Sequence, residues 1–180
     1  MPKLTEIEVN EFLEEPGHLL RVGNVDSDGM PRVVPIWFVH VDGEILFTPR
    51  GPAVFLANIR RDNRIGLSID EDPLPYRKVT VQGRARIVHE PGDDDAWRDM
   101  YRTIAKRYVP ADRADAYVDG TIDQPRALIA VRLAGSVVTT WRMPHEGENP
   151  TGIWHRRYFL DGTMMADMAD GKSADGKSAN

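Results

Sequence analysis

Residues 18–48, HLLRVGNVDSDGMPRVVPIWFVHVDGEILFT, decide the fold. His18–Val25 and Arg32–Val41 are β-branched, aromatic and otherwise apolar runs, with Asp28-Gly29 between them. A second pair, Asp42-Gly43, precedes the shorter run Glu44–Thr48. Glycine accepts the positive φ that a tight turn requires, so each Asp-Gly between strand-like runs reads as a hairpin turn. The stretch therefore predicts an antiparallel meander of three strands.

The pattern continues on both sides. Upstream, Thr5 and Glu8 have capping-box spacing, and Ile7, Phe12 and Leu13 give a partial apolar face. That predicts a helix from about Thr5 to Glu14, stopped by Pro16-Gly17. Downstream, Pro52–Arg61 reads as a helix with Val54, Phe55, Leu56 and Ile59 on one face. Arg64–Asp70 and the alternating Arg77–His89 read as strands, and Asp93–Tyr108 and Ala111–Val118 as helices. Arg126–Trp141 reads as one long strand and Gly152–Phe159 as a shorter one. About six antiparallel strands with few helices imply a mainly β fold with peripheral helices, closed into a barrel-like sheet. One domain spans residues 1–160. From Asp161 the core-forming residues thin out, and DGKSA at Asp170–Ala174 recurs at Asp175–Ala179, so 161–180 reads as a flexible tail.

Composition removes several functions. With 23 Lys+Arg against 28 Asp+Glu the net charge is −5, the wrong sign for a dedicated nucleic-acid binder. The absence of cysteine excludes disulfides, thiol catalysis and thiolate metal sites. The run Val33–Val41, interrupted by Pro35 and His40, is far short of a bilayer span, and no export signal is visible. A cytoplasmic protein without membrane contacts is expected. Gly171–Ser178 matches the phosphate-loop pattern G-x4-G-K-S, but that loop must open a helix, and only Ala179-Asn180 follow. No nucleotide site is expected there. The five histidines lack paired ligand spacing, so no metal site is expected.

Three segments carry the most specific signal: Pro31-Arg-Val-Val-Pro-Ile-Trp-Phe38, Leu46-Phe-Thr-Pro-Arg-Gly51 leading into a helix, and Asn58-Ile-Arg-Arg-Asp-Asn-Arg-Ile-Gly-Leu67 leaving it. Their order and spacing resemble the pyridoxamine-phosphate-oxidase-like split-barrel flavoproteins, including their actinobacterial deazaflavin-dependent relatives. The later Tyr76–Gly83 is similar to that family's next barrel strand. The resemblance is good over about residues 6–89, weaker to Phe159 and absent beyond. It implies a homodimeric oxidoreductase that holds FMN in an interface groove and exchanges hydride or electrons with a small planar organic substrate. The deazaflavin coenzyme F-420 is the alternative cofactor, and a non-catalytic flavin- or haem-binding protein is the alternative of another class.

A flavin ring has apolar faces and a polar edge, so it suits a slot walled by aliphatic and aromatic side chains with backbone groups at its rim. By resemblance Arg32, Val33, Val34, Pro35 and Trp37 would line the ring. Thr48, Pro49, Arg50 and Gly51 would meet the phosphate end, and Lys78 would add a further cofactor contact. Trp141, Arg142, Trp154 and Arg156 would contact substrate or the cofactor of a partner subunit. One departure stands out: Ala53 and Val54 occupy helix positions where flavin-binding relatives commonly carry Lys or Arg. No catalytic acid or base is conspicuous.

Overall fold

Both Asp-Gly pairs turn the chain as their chemistry demands. Asp42 and Gly43 take φ of 51° and 74°, the positive values a tight hairpin needs, and Gly29 takes 88°. The computed structural model describes residues 3–148 and 156–171. Within it, β1 (Leu20–Val25) pairs with β2 (Pro31–Ile36), and β3 (Phe38–Val41) pairs with β4 (Glu44–Phe47), all antiparallel.

The run expected as one strand over Arg32–Val41 is two, broken at Trp37. The break has a topological cause. β2 lies at one end of the sheet beside β1 and β3 at the other end beside β4, so Trp37 carries the chain from one edge to the other. An edge position also suits β2, because Pro31 and Pro35 have no N–H to give a second neighbour.

The remaining strands fill the space between these edges. They are β5 (Arg64–Asp70), β6 (Arg77–His89), β7 (Leu128–Arg132) and β8 (Val137–Arg142). The order is β2-β1-β5-β6-β7-β4-β3, with β8 pairing β6 off this path. β6 joins the two halves. Its first part, Arg77–Gln82, lies between β5 and β8, and its last part, from Ala85, pairs with β7. The expected strand Arg126–Trp141 is thus β7 and β8 around a turn at Gly135, whose φ is 84°. Among the described residues eight strands replace the roughly six expected, and the mainly β split-barrel architecture stands. The expected strand at Gly152–Phe159 is not found among the described residues: 151–155 lie outside them, and Arg156–Tyr158 form a 3-10 turn. Within the expected tail, Met164–Ala169 form a short helix capped by Thr163, and 172–180 lie outside the described residues.

Helices cover the barrel. α1 (Glu6–Glu14) starts with the expected capping box, Glu8 N donating to Thr5 Oγ1 at 3.3 Å and Thr5 N to Glu8 Oε2 at 2.7 Å. Ile7 is exposed, however, and α1 buries Val9, Phe12 and Leu13 instead. Arg107 closes the far end of α1, donating to the carbonyls of Leu13, Glu14 and Glu15 at 2.8–3.0 Å. Those carbonyls have no partner within the helix, so one arginine satisfies three of its open acceptors. α2 (Val54–Arg61) follows β4, and α3 (Arg98–Lys106) and α4 (Ala111–Asp119) lie between β6 and β7. The main core joins Phe12, Leu20, Phe38, Phe47, Leu56 and Ile129, and a second cluster packs Val39 and Ala130 against Tyr101, Ile104 and Val118 of the two later helices.

His40 on β3 is buried with no hydrogen-bond partner at either ring nitrogen. Burial lowers its pKa; Glu14, 4.0 Å away, and Asp42 favour the charged form, while Arg107 opposes it. The folded state therefore resists protonation more than the unfolded chain. Its contribution to stability is intact above about pH 6.5 and falls as the pH drops from there toward the lower folded-state pKa. Denaturant midpoints at pH 8 and pH 5 should show this loss in the wild type and a smaller one in His40→Leu. Equal losses would mean that His40 is not responsible.

Candidate functional site

The site is built where two strands end. β2 ends at Ile36, just before Trp37, and β4 at Phe47, and both lead into a cleft of about 430 Å³. That volume lies within the range of small-molecule sites. Beyond β4 the backbone stays tied to the start of β7: Ala127 N donates to the Pro49 carbonyl at 2.9 Å and Gly51 N to the Pro125 carbonyl at 2.8 Å. Arg50 and Arg126 are direct cross-strand partners in this short extension.

One wall is aromatic. Trp37 stacks on Tyr108, with ring centroids 5.1 Å apart and planes 5° apart, and meets Tyr117 edge-on at 5.5 Å. Tyr108 is fixed in turn, donating to the His18 carbonyl at 2.7 Å and accepting from Phe38 N at 3.1 Å. Val34, Pro35 and Ile36 of β2, with Ala53 and Phe55 at the start of α2, supply the aliphatic and aromatic remainder. α2 opens at Ala53 without a side-chain cap. Its first N–H groups, and the positive end of its dipole, are therefore available to an anion.

The opposite corner is cationic. Arg126 is only 6% exposed, and Asp94 Oδ1 accepts from its backbone N–H at 2.7 Å, yet no carboxylate among the described residues forms an ion pair with its guanidinium. Its Nη1 donates to the Thr48 carbonyl at 3.4 Å and its Nη2 to the Tyr117 hydroxyl at 3.2 Å, while its Nε has no partner. The guanidinium lies 4.6 Å from the Tyr101 ring centroid and 5.9 Å from that of Tyr117. Burying an ion costs several kcal/mol, and a ring contact returns about 0.5–2 kcal/mol. The hydroxyls respond to this charge. Burial raises the pKa of Tyr101, and the neighbouring Tyr117 hydroxyl adds to the rise. Burial also pushes Tyr117 upward, but the Tyr101 hydroxyl and the Arg126 and Arg50 guanidinium groups outweigh it, so its pKa is lowered.

The structure gathers only part of the expected set. Val34, Pro35, Trp37, Thr48, Pro49 and Arg50 all line this cleft, and Gly51 adjoins it. Arg32 does not join them: it forms a two-pronged ion pair with Asp26 in the β1–β2 turn, at 2.7 and 2.8 Å. Val33 points to the outer face of the sheet, beside Arg21, Ser68 and Thr80. Lys78 lies over the rings of Trp141 and Tyr158 at 5.3 and 5.1 Å, outside the cleft. Arg142 is paired with Glu148, whose carboxyl it pulls down to about 2, and Arg156 with Asp161 and Asp170. Trp154 lies outside the described residues.

Arg126, Tyr101 and Tyr117 went unmarked in the sequence because nothing local distinguishes them. Their role comes from α3 and α4 packing over the chain just before β7. A larger depression, about 820 Å³, lies elsewhere, on the outer face around Gly23, Gly66 and Gly83. Of its cations, Arg64 pairs with Asp62 and Arg132 with Glu44, while Arg84 donates to Asn63 Oδ1 at 2.9 Å.

Known proteins place this geometry. An FAD-binding protein (mll6688) from Mesorhizobium loti shares 17% identity at a TM-score of 0.57, over 79% of this chain and 96% of that one. HutZ, the heme storage protein from Vibrio cholerae, shares 20% at 0.56, over 77% and 96%. An F420 reductase shares 27% at 0.50, over 68% and 90%. The first two likenesses are of fold alone. Among curated proteins nothing matches. A family model described as pyridoxamine 5'-phosphate oxidase matches residues 5–137, which hold β1–β7 and stop at Val137, the first residue of β8. With that match over most of its length, on a split barrel whose strand ends frame the cleft, the chain belongs to the pyridoxamine 5'-phosphate oxidase family.

Proposed function

We propose that the protein is a flavin-type oxidoreductase that holds FMN, or alternatively deazaflavin F-420, in the Trp37–Arg126 cleft. The observation that carries this reading is the joining of Val34, Pro35 and Trp37 to Thr48, Pro49 and Arg50 in one cleft with two arginines. These are the groups a flat ring with an anionic arm needs: apolar walls, backbone groups at a strand edge, and cations at one end. Ala53 and Val54 lack the usual helix cation, and Arg126, reaching the Thr48 carbonyl from β7, supplies a positive charge beside that turn. The group bound there would supply hydride or electron transfer. This chain's residues would orient it: Trp37 is held against Tyr108, and the arginines anchor the charged end.

A homodimer belongs to the same proposal. The outer sheet face has two adjoining depressions, of about 820 and 520 Å³, that share Gly23, Gly66 and Gln82, and Val33 there is 65% exposed. A second copy would cover that face.

Turnover separates this enzyme from a non-catalytic binder of flavin or haem. Purified protein supplied with FMN, or with reduced deazaflavin, should reduce a quinone or nitroaromatic acceptor faster than the free cofactor does. Binding without any rate above that of the free cofactor would favour the non-catalytic reading. Binding of neither cofactor would overturn both flavin readings.

A further inference from the structure

We infer that the corner formed by Arg126, Arg50 and Tyr117 binds an anionic group, a carboxylate or a phosphate, on the molecule that enters the cleft. The inference begins with charge balance. Arg126 is 94% buried, and among the described residues its guanidinium hydrogen-bonds only to neutral groups, the Thr48 carbonyl and the Tyr117 hydroxyl, while the Asp94 carboxylate accepts from its backbone N–H at 2.7 Å. Buried arginines are normally paired with carboxylate or phosphate, because an uncompensated ion in a poorly hydrated site is costly. Here no carboxylate among the described residues forms an ion pair with the guanidinium.

The neighbours sharpen the point. Arg50 is the direct cross-strand partner of Arg126, and like charges in that register repel. The two nevertheless flank one cleft, together with Tyr117 and the uncapped start of α2 at Ala53. A single anion seated among them would relieve the repulsion, give each guanidinium a charged acceptor, and take the helix N–H groups as well. Its carrier is planar or at least flat-sided, since the adjoining wall is the fixed ring of Trp37.

Two sources provide that chemistry: the phosphate of an FMN-like cofactor, or an acidic group on the substrate. The first deepens the flavin reading and rests on it, whereas the second does not need it. Tryptophan-fluorescence titrations with matched probes tell them apart: FMN against riboflavin, and benzoate against benzyl alcohol. In at least one pair the anion should bind roughly 10-fold or more tightly than its neutral counterpart. A preference within the flavin pair assigns the corner to the cofactor, and a preference within the benzoate pair assigns it to the substrate. Arg126→Gln should erase that preference while leaving the neutral probe's affinity nearly unchanged. Arg50→Gln, at an exposed position that folding tolerates, should reduce it several-fold and serves if Arg126→Gln does not fold. Equal affinities within both pairs would overturn the inference, as would a preference that persists undiminished in the variants. Failure of both flavins to bind, with benzoate still preferred, would sink the cofactor proposal and leave this one standing.

Discussion

Phe47→Ala should lower the folding free energy by about 3–5 kcal/mol, a large part of the roughly 5–15 kcal/mol that holds a domain together. Phe47 is fully buried, opposite Phe38 on β3 and Ile129 on β7, and both of those neighbours are fully buried too. Truncation would leave a cavity that two rigid neighbouring strands cannot collapse into. At this chain length the melting temperature should fall by roughly 6–20 °C. The function should suffer with it. Phe47 is the last residue of β4 before Thr48, whose carbonyl orients Arg126, so affinity for any cleft ligand should drop as well. Phe47→Leu, which keeps most of the volume, should cost about 1–2 kcal/mol. Thermal and denaturant unfolding would check both; a loss below 1 kcal/mol in the alanine variant would show that β3, β4 and β7 do not pack as described.

The second large effect lies at the other end of α2. Asn58 is 3% exposed, and its Nδ2 donates to Asn24 Oδ1 at 2.7 Å and to Asp26 Oδ1 at 2.6 Å. Its own Oδ1 accepts from Arg61 Nη1 at 3.1 Å. Asp26 also holds Arg32 and has its pKa lowered, first by that arginine and then by Asn58. One amide thus fastens α2 to the β1–β2 turn. Asn58→Ala would remove these bonds and strand the Asn24 amide, buried at 5% exposure, at an expected cost of about 2–4 kcal/mol. Urea unfolding of Asn58→Ala beside Arg61→Ala would check this, because Arg61 lies at the exposed side of the network and should matter less. Equal, small losses from both would mean that the amide does not carry the joint.

The same network explains what the sequence could and could not disclose. The Asp-Gly turns, the Thr5–Glu8 cap and the alternation of Val79, Val81 and Ala85 are local signals, and each produced the element it implied. The motif Arg32…Pro35, followed by Thr48…Gly51 and Asn58…Arg64, carried the family resemblance, and the family model's match bears it out. Its division of labour was not legible. Arg32 and Asn58 meet at Asp26 through contacts 6 and 32 residues apart, so they bind the fold's own turn. Pro35, Trp37, Thr48 and Arg50 go to the cleft. Gly135 did mark the break between β7 and β8, but the β-branched residues on either side of it read as one continuous strand. Nothing marked Trp37 as the crossing between sheet edges, since only the closure of the barrel separates β2 from β3. Arg126 was invisible for a similar reason: its burial depends on tyrosines contributed by α3 and α4.

The most direct test of the cleft as the cofactor site is a crystal structure of the protein grown with saturating FMN. The ring is expected against Trp37 and Pro35, with the phosphate within hydrogen-bond reach of Arg50, Arg126 or the first N–H groups of α2. A flavin found instead on the outer sheet face, beside Val33 or Lys78 and Trp141, or a cleft empty at saturation, would contradict that placement.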